Sequence, residues 1–127
     1  MKTSEISLSV VMPVYNEQEN IMFAIDQIML KCKNFKKAKL IVINDGSNDD
    51  ANKKLIDLSI KYSNLTVLKN NRNVGVAKSL RYGFLNVLND YILFNSADLS
   101  LDPKDICNII EQKYPFNLLV LEMKDNS

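Results

Sequence analysis

An open, mostly parallel α/β sheet is the fold this sequence predicts, and three observations predict it. Five short apolar runs recur with their first residues 25 to 32 positions apart, the length of one strand–helix unit. Amphipathic helical patterns fill the intervals. The two most apolar of the first four runs lack clean alternation, as expected of strands covered by helices on both faces.

The predicted strands are Ser7–Val14, Lys39–Asn44, Leu65–Lys69, Tyr91–Asn95 and Phe116–Glu122. Pro13 removes a ladder donor, so the chain is expected to leave the sheet there. Asn16 then reads as the cap of a helix whose stripe is Ile21, Ala24, Ile25, Ile28 and Cys32, with Glu19 at the capping-box position. A second stripe runs Ala51, Leu55, Leu58, Tyr62, and a third Ala77, Leu80, Phe84, Val87. A fourth helix is expected from Asp102-Pro103, with Pro at the first helical position, Asp105 in the first turn, then Ile106, Ile109 and Ile110. No repeat or linker divides residues 1–127, which read as one domain.

Composition narrows the function. A net charge of +1 gives no electrostatic case for nucleic acid. The run "KCKNFKKAK", Lys31 to Lys39, is a helix C-terminus leading into a solvated loop, or else a peripheral contact with an anionic membrane. With no histidine, zinc chemistry and histidine-based nucleophilic triads drop out. Cys32 and Cys107 lack C-x-x-C spacing and read as buried thiols in a reducing compartment, so a cytoplasmic location is expected. The glycines Gly46, Gly75 and Gly83 form neither G-x-G-x-x-G nor a P-loop, which sets aside dinucleotide-binding folds.

In parallel α/β sheets ligands bind beyond the C-terminal ends of the strands, and polar residues collect there. After the first strand, Tyr15 offers a ring for stacking on a base and Glu17 an acceptor. After the second, "NDGSNDD" puts Asp45 where it can accept from a base N–H or a ribose hydroxyl, with Gly46 free to take a positive φ and Ser47, Asn48 and Asp49 as capping chemistry. The competing reading of both segments is a strand end, a turn and a capped helix. After the third, Arg72 and Lys78 can meet a diphosphate, or are two ordinary surface cations. After the fourth, Asp98 suits a Mg²⁺ or Mn²⁺ ion, which needs only one or two protein carboxylates, or it caps a turn.

In this order and spacing, "VVMPVYNEQENI", "LIVINDGSNDD", "NRNVGVAKSLRYGF" and "YILFNSADLSLDP" resemble the family 2 glycosyltransferases of the GT-A fold, closest to the polyprenyl-phosphate and dolichol-phosphate sugar synthases. The resemblance runs from about Leu8 to Ile110 and implies a Rossmann-like nucleotide-binding half with about five strands. It implies that Pro13, Tyr15, Glu17 and Asp45 hold base and ribose, that Ser47, Arg72 and Lys78 belong to the same nucleotide-binding set, and that Asp98, with Ser96 as a weak second ligand, binds a divalent ion bridging the diphosphate of a UDP- or GDP-linked sugar. The sugar would pass with inversion to an acceptor such as a polyprenyl phosphate or a glycan. No catalytic base is identified. Ser96 stands where the family's metal motif has its first Asp, which weakens the metal site. The family's fold also continues past the point reached at Ser127. The chain is therefore expected to be the donor-binding half of such a domain, its last strand leaving an apolar edge that invites dimerisation. The alternative function is a nucleotide-sugar-binding or regulatory module that keeps the fold without catalysis.

Overall fold

A computed structural model describes residues 2–87, 91–99 and 101–111, and the side chains of these up to residue 107. Four parallel strands, β1 (Ser7–Val14), β2 (Lys37–Asp45), β3 (Leu65–Asn70) and β4 (Tyr91–Phe94), form a sheet in the order β3-β2-β1-β4. Helices α1 (Ile21–Cys32), α2 (Ala51–Lys61) and α3 (Val76–Phe84) connect successive strands, α4 (Pro103–Glu111) follows β4, and all four flank the sheet. The fifth predicted strand, Phe116–Glu122, lies outside the described residues, as do the side chains of Ile109 and Ile110.

The central strands carry unbroken apolar stretches, residues 10–14 in β1 and 40–43 in β2, because both their faces are covered. Leu8, Val10, Met12 and Val14 of β1 and Leu40 and Val42 of β2 join Ile21, Ala24, Ile25, Ile28, Leu55, Leu58 and Ile106 in the main core. Val11, Ile41 and Ile43 point the other way and meet Leu80 and Val87. Helices α1, α2 and α4 thus cover one face and α3 the other. On that second face Gly83 lets α3 approach closely: a Cβ there would lie 2.6 Å from Val11 and 2.8 Å from Ile43.

The helical stripes hold, with two corrections. In α1 the stripe from Ile21 to Cys32 is buried, yet the helix starts at Ile21, not after Asn16. Asn16 takes a positive φ of 52°, and its N–H donates to Ser47 Oγ at 3.1 Å, so no capping box with Glu19 forms. A turn built on the Glu17 carbonyl, which accepts from Asn20 and Ile21, leads into the helix instead. In α3 Ala77 is exposed, and the buried line is Ser79 and Gly83 beside half-buried Leu80. Ser79 replaces Ala77 because its hydroxyl accepts from Asn70 at 3.1 Å inside the molecule. In α4, Pro103 opens the helix as expected, and Asp102 Oδ1 accepts from the Lys104 N–H at 3.1 Å. Both cysteines are free: Cys32 is buried and its thiol pushed up to about 11, by desolvation first and the neighbouring Cys107 second, while Cys107 is half-buried. Among the described residues no helix is long and apolar enough to cross a membrane.

Candidate functional site

The pairing pattern of β1 opens a cleft. On one side β1 pairs with β2 as far as Val14, but on the other it pairs with β4 only as far as Val11↔Phe94. The Val11 carbonyl accepts the last bond from Asn95 at 3.0 Å. Backbone groups two residues apart face the same side of a strand, so Pro13 would be the next donor toward β4, and it has no N–H. The strands part there, and the chain continues in β1 one residue beyond Pro13 before it turns.

The gap is an open cleft of about 220 Å³ lined by Pro13, Val14, Tyr15, Glu17, Asp45, Val76, Phe94, Ser96, Ala97 and Asp98. It lies at the C-terminal ends of β1 and β4, where the strand order reverses, the usual ligand position in such sheets. Six of the sequence-predicted residues meet here: Pro13, Tyr15, Glu17, Asp45, Ser96 and Asp98. Ser47, Arg72 and Lys78 do not line it. The Ser47 hydroxyl is held by Asn16, and Arg72 and Lys78 are exposed.

Two loops at the mouth are tied together. Asn48 N donates to Asn16 Oδ1 at 2.8 Å, Gln18 N to Asp49 Oδ2 at 3.1 Å, Asp50 N to Gln18 Oε1 at 2.9 Å, and Lys54 Nζ to the Gln18 carbonyl at 2.6 Å. Asp49 also caps α2 by accepting from Ala51 N at 2.9 Å. Tyr15 and Glu17 therefore sit on a loop fixed by the one after β2. Glu17 is half-buried, and Asn20 Nδ2 donates to its Oε2 at 3.1 Å.

Asp45 is placed differently from an open acceptor. Its side chain is 3% exposed, and four donors converge on it. Val74 N (2.8 Å) and Asn70 Nδ2 (3.0 Å) meet Oδ1, while Gly75 N (2.9 Å) and Asn73 Nδ2 (3.2 Å) meet Oδ2. Desolvation alone would raise its pKa, but the bonds from Val74, Asn70 and Gly75 outweigh it and hold the carboxyl below its ordinary value.

At the end of β4, fully buried Asn95 organises the next loop. Its Oδ1 accepts from Ser96 N (3.0 Å) and Leu101 N (3.1 Å), and its Nδ2 donates to the Leu101 carbonyl at 2.8 Å. This peptide-like pair closes the loop that presents Ser96 and exposed Asp98, and Ser96 Oγ donates to Asp98 Oδ1. The loop is further shaped by a positive φ of 56° at Leu99 and by Leu99 N donating to the Ser96 carbonyl at 2.9 Å. One carboxylate and one hydroxyl, both hard oxygen donors at an open mouth, fit a Mg²⁺ or Mn²⁺ ion that keeps waters and takes phosphate oxygens. Among the described residues no cluster of three or more His, Cys, Asp or Glu side chains forms, so a closed all-protein metal cage does not fit.

Sequence reasoning missed Asn95, Val76, Phe94 and the Asn70–Asn73 pair. An asparagine closing an apolar run was the one local signal for Asn95. Nothing near Val76 or Phe94 in sequence marks them as cleft walls.

Solved structures share this architecture. The mannosyltransferase PcManGT from Pyrobaculum calidifontis, in complex with GDP-Man and Mn2+, matches with a TM-score of 0.76 at 18% identity, over 87% of this chain and 33% of that one. Residues 1–349 of TarS from S. aureus match with a TM-score of 0.68 at 21% identity, over 86% and 33%. Glucosyl-3-phosphoglycerate synthase from Mycobacterium tuberculosis, in complex with Mn2+, UDP and phosphoglyceric acid, matches with a TM-score of 0.59 at 24% identity, over 72% and 33%. At these identities the likeness is one of fold, and the chain spans about a third of the length of each of these structures. The description "Glycosyl transferase family 2" matches residues 9–114, which take in the cleft, its loops and all of the sheet but Ser7 and Leu8, and the chain belongs to glycosyl transferase family 2.

Proposed function

We propose that the chain is the donor-binding part of a glycosyltransferase, taking a nucleoside-diphosphate sugar at the cleft between β1 and β4. The observation that carries this reading is the convergence of Tyr15, Glu17, Ser96 and Asp98 from two separate strand ends on one opening. Tyr15, 43% exposed, offers a ring face to the base, and Glu17 a carboxylate to a base N–H or a ribose hydroxyl. Pro13, Val76 and Phe94 supply apolar walls. Asp98, with Ser96, would hold a Mg²⁺ or Mn²⁺ ion against the diphosphate. When bound, such an ion stabilises the charge that develops on the departing nucleoside diphosphate. Arg72 and Lys78, which are exposed on the β3–α3 side, would meet phosphates that extend out of the cleft. The sugar would pass with inversion to an acceptor such as a polyprenyl phosphate or a glycan.

A second reading is a nucleotide-sugar-binding module without catalysis. It is favoured by Ser96, whose hydroxyl donates to Asp98 and adds no second negative charge for the ion. Calorimetric titration with UDP and with GDP, each with and without Mn²⁺, tests the donor site. Saturable binding of one nucleotide, strengthened by Mn²⁺, is expected. The same sample given the matching nucleotide sugar then separates the readings: release of sugar supports the enzyme, and binding without release supports the module. Absence of binding to both nucleotides would sink both.

A further inference from the structure

We propose that Cys32 and Cys107 form a reversible disulfide, made by exchange with a low-molecular-weight disulfide, that staples α4 to the end of α1. They are the chain's two cysteines, 75 positions apart in sequence, and the fold brings them to one place. Cys32 is the last residue of α1 and belongs to the main core, where it is 7% exposed. Cys107 lies in α4, which packs on α1, and it joins the same core from the edge, half-buried. The preceding residue, Ile106, is fully buried in that core and anchors the turn of α4 that carries Cys107. An independent contact locates the sulfur: Asn34, two residues beyond Cys32, donates from Nδ2 to Cys107 Sγ at 3.6 Å. The turn after α1 keeps Asn34 close to Cys32, because Asn34 N donates to the Lys31 carbonyl and Phe35 N to the Cys32 carbonyl, both at 3.1 Å.

The two thiols take different steps, in an order set by exposure. Exchange proceeds by attack of a thiolate on a disulfide sulfur. Cys107, the more accessible of the two, attacks the small disulfide RS–SR. A bond forms between Cys107 Sγ and one sulfur, the other leaves as RS⁻, and the Cys107 proton passes to it by way of water. Cys32 then attacks Cys107 Sγ, and its proton passes to the second departing RS⁻. Two protein thiols are thus oxidised, and RS–SR is reduced to two RSH. Burial first, and the neighbouring Cys107 second, push the Cys32 thiol up to about 11, which makes it a poor first nucleophile. Its own step is intramolecular, and proximity offsets the small thiolate fraction. Helix α4 follows directly on the loop that carries Ser96 and Asp98 and that Asn95 closes onto Leu101. The staple therefore holds the helix on which that loop ends, whichever ligand the cleft takes.

Incubation of the folded chain with oxidised glutathione, followed by intact mass and a peptide map without reductant, tests this. The product should have lost the mass of two hydrogens, carry no glutathione, and yield one cross-linked peptide pair containing Cys32 and Cys107. Because the bridge closes a long loop of the unfolded chain, the oxidised form should melt higher by roughly 5 °C or more. Dithiothreitol should restore both the mass and the melting temperature. Cys32→Ala should stop at a glutathione adduct on Cys107, and Cys107→Ser should take up no glutathione, which fixes the order of the two steps. A glutathione adduct that persists on the wild type, a disulfide between two copies of the chain, or a cross-link that forms only in urea would each overturn the proposal. So would an internal disulfide that leaves the melting temperature unchanged or lowers it, since it would bridge the pair only by distorting the fold. If Cys32→Ala does not fold, the mass, peptide map and melt of the wild type decide without it.

Discussion

At the scale of single residues, Asp45 and Gly46 show how one strand end serves two purposes. Because the folded pKa of Asp45 lies below its ordinary value of 3.8, the stability it contributes is fully present above that value. That stability is lost as pH falls through the lower folded value. Acid unfolding followed by circular dichroism should therefore be less steep below about pH 4 in Asp45→Asn, which starts from lower stability at neutral pH. It should be reduced and not removed, because Asp26, held low by the Tyr62 hydroxyl first and by Lys61, titrates in the same direction. Equal steepness in wild type and variant would deny Asp45 this role. Gly46 faces two constraints together: a φ of 71°, and a Cβ position 2.4 Å from the Arg72 carbonyl carbon. The first alone costs a non-glycine residue about 1–2 kcal/mol. The second involves backbone that cannot rotate away, so Gly46→Ala should lose about 2–4 kcal/mol in urea unfolding. A loss below about 1 kcal/mol would mean that the loop yields freely. The residue types at these sites were legible in the sequence, but their partners were not. An Asp-Gly pair after a strand looks the same whether its carboxylate faces a ligand or receives amides 25 to 30 residues away. Asn16 shows the same ambiguity, since the side chain that suits a helix cap also suits a clamp to Asn48.

At the scale of elements, burial was what hydropathy could see. The apolar run Ser7–Val14 coincides with β1 at both ends, because every residue in it is buried or half-buried. Strand β2 begins at Lys37, two residues before its apolar run, since Lys37 and Ala38 pair with Ser7 and Leu8 through backbone alone. Helix α3 was the least legible: its packing face is made of Ser79 and Gly83, neither of which adds to an apolar stripe. That face gives a test in which two effects compete. Replacing a mid-helix glycine by alanine favours the helix by about 1 kcal/mol. Here the added methyl would meet Val11 and Ile43 at 2.6 and 2.8 Å, in a sheet face where both are fully buried and have little room to move. Overpacking of this kind costs about 1–3 kcal/mol, so Gly83→Ala should be net destabilising by up to about 2 kcal/mol. A melting temperature at or above that of the wild type would show that α3 can lift from the sheet at no cost.

At the scale of the whole molecule, the decisive feature is where charge lies and not how much there is. The chain as a whole is close to neutral at +1, yet Glu17, Asp45 and Asp98 line the cleft, and among the described residues no lysine or arginine does. A bare nucleoside diphosphate approaching it meets charge of its own sign, and a divalent ion held by Asp98 would reverse that. Ligand and ion should therefore stabilise the fold together far more than either alone. A ligand at 100 times its Kd adds about 2.7 kcal/mol, which raises the melting temperature of a domain near this size by roughly 4 °C or more. The matching nucleoside diphosphate with Mn²⁺ should give that shift in a thermal melt, and the same nucleotide in EDTA less than about 1 °C. The free nucleoside, which carries no phosphate, should be indifferent to EDTA. An equal shift with and without EDTA would mean that the phosphates are received by cations outside the cleft lining. Arg72 and Lys78 are the exposed pair to remove next, and loss of the shift in Arg72→Ala with Lys78→Ala would move the phosphate site from Asp98 to the β3–α3 side.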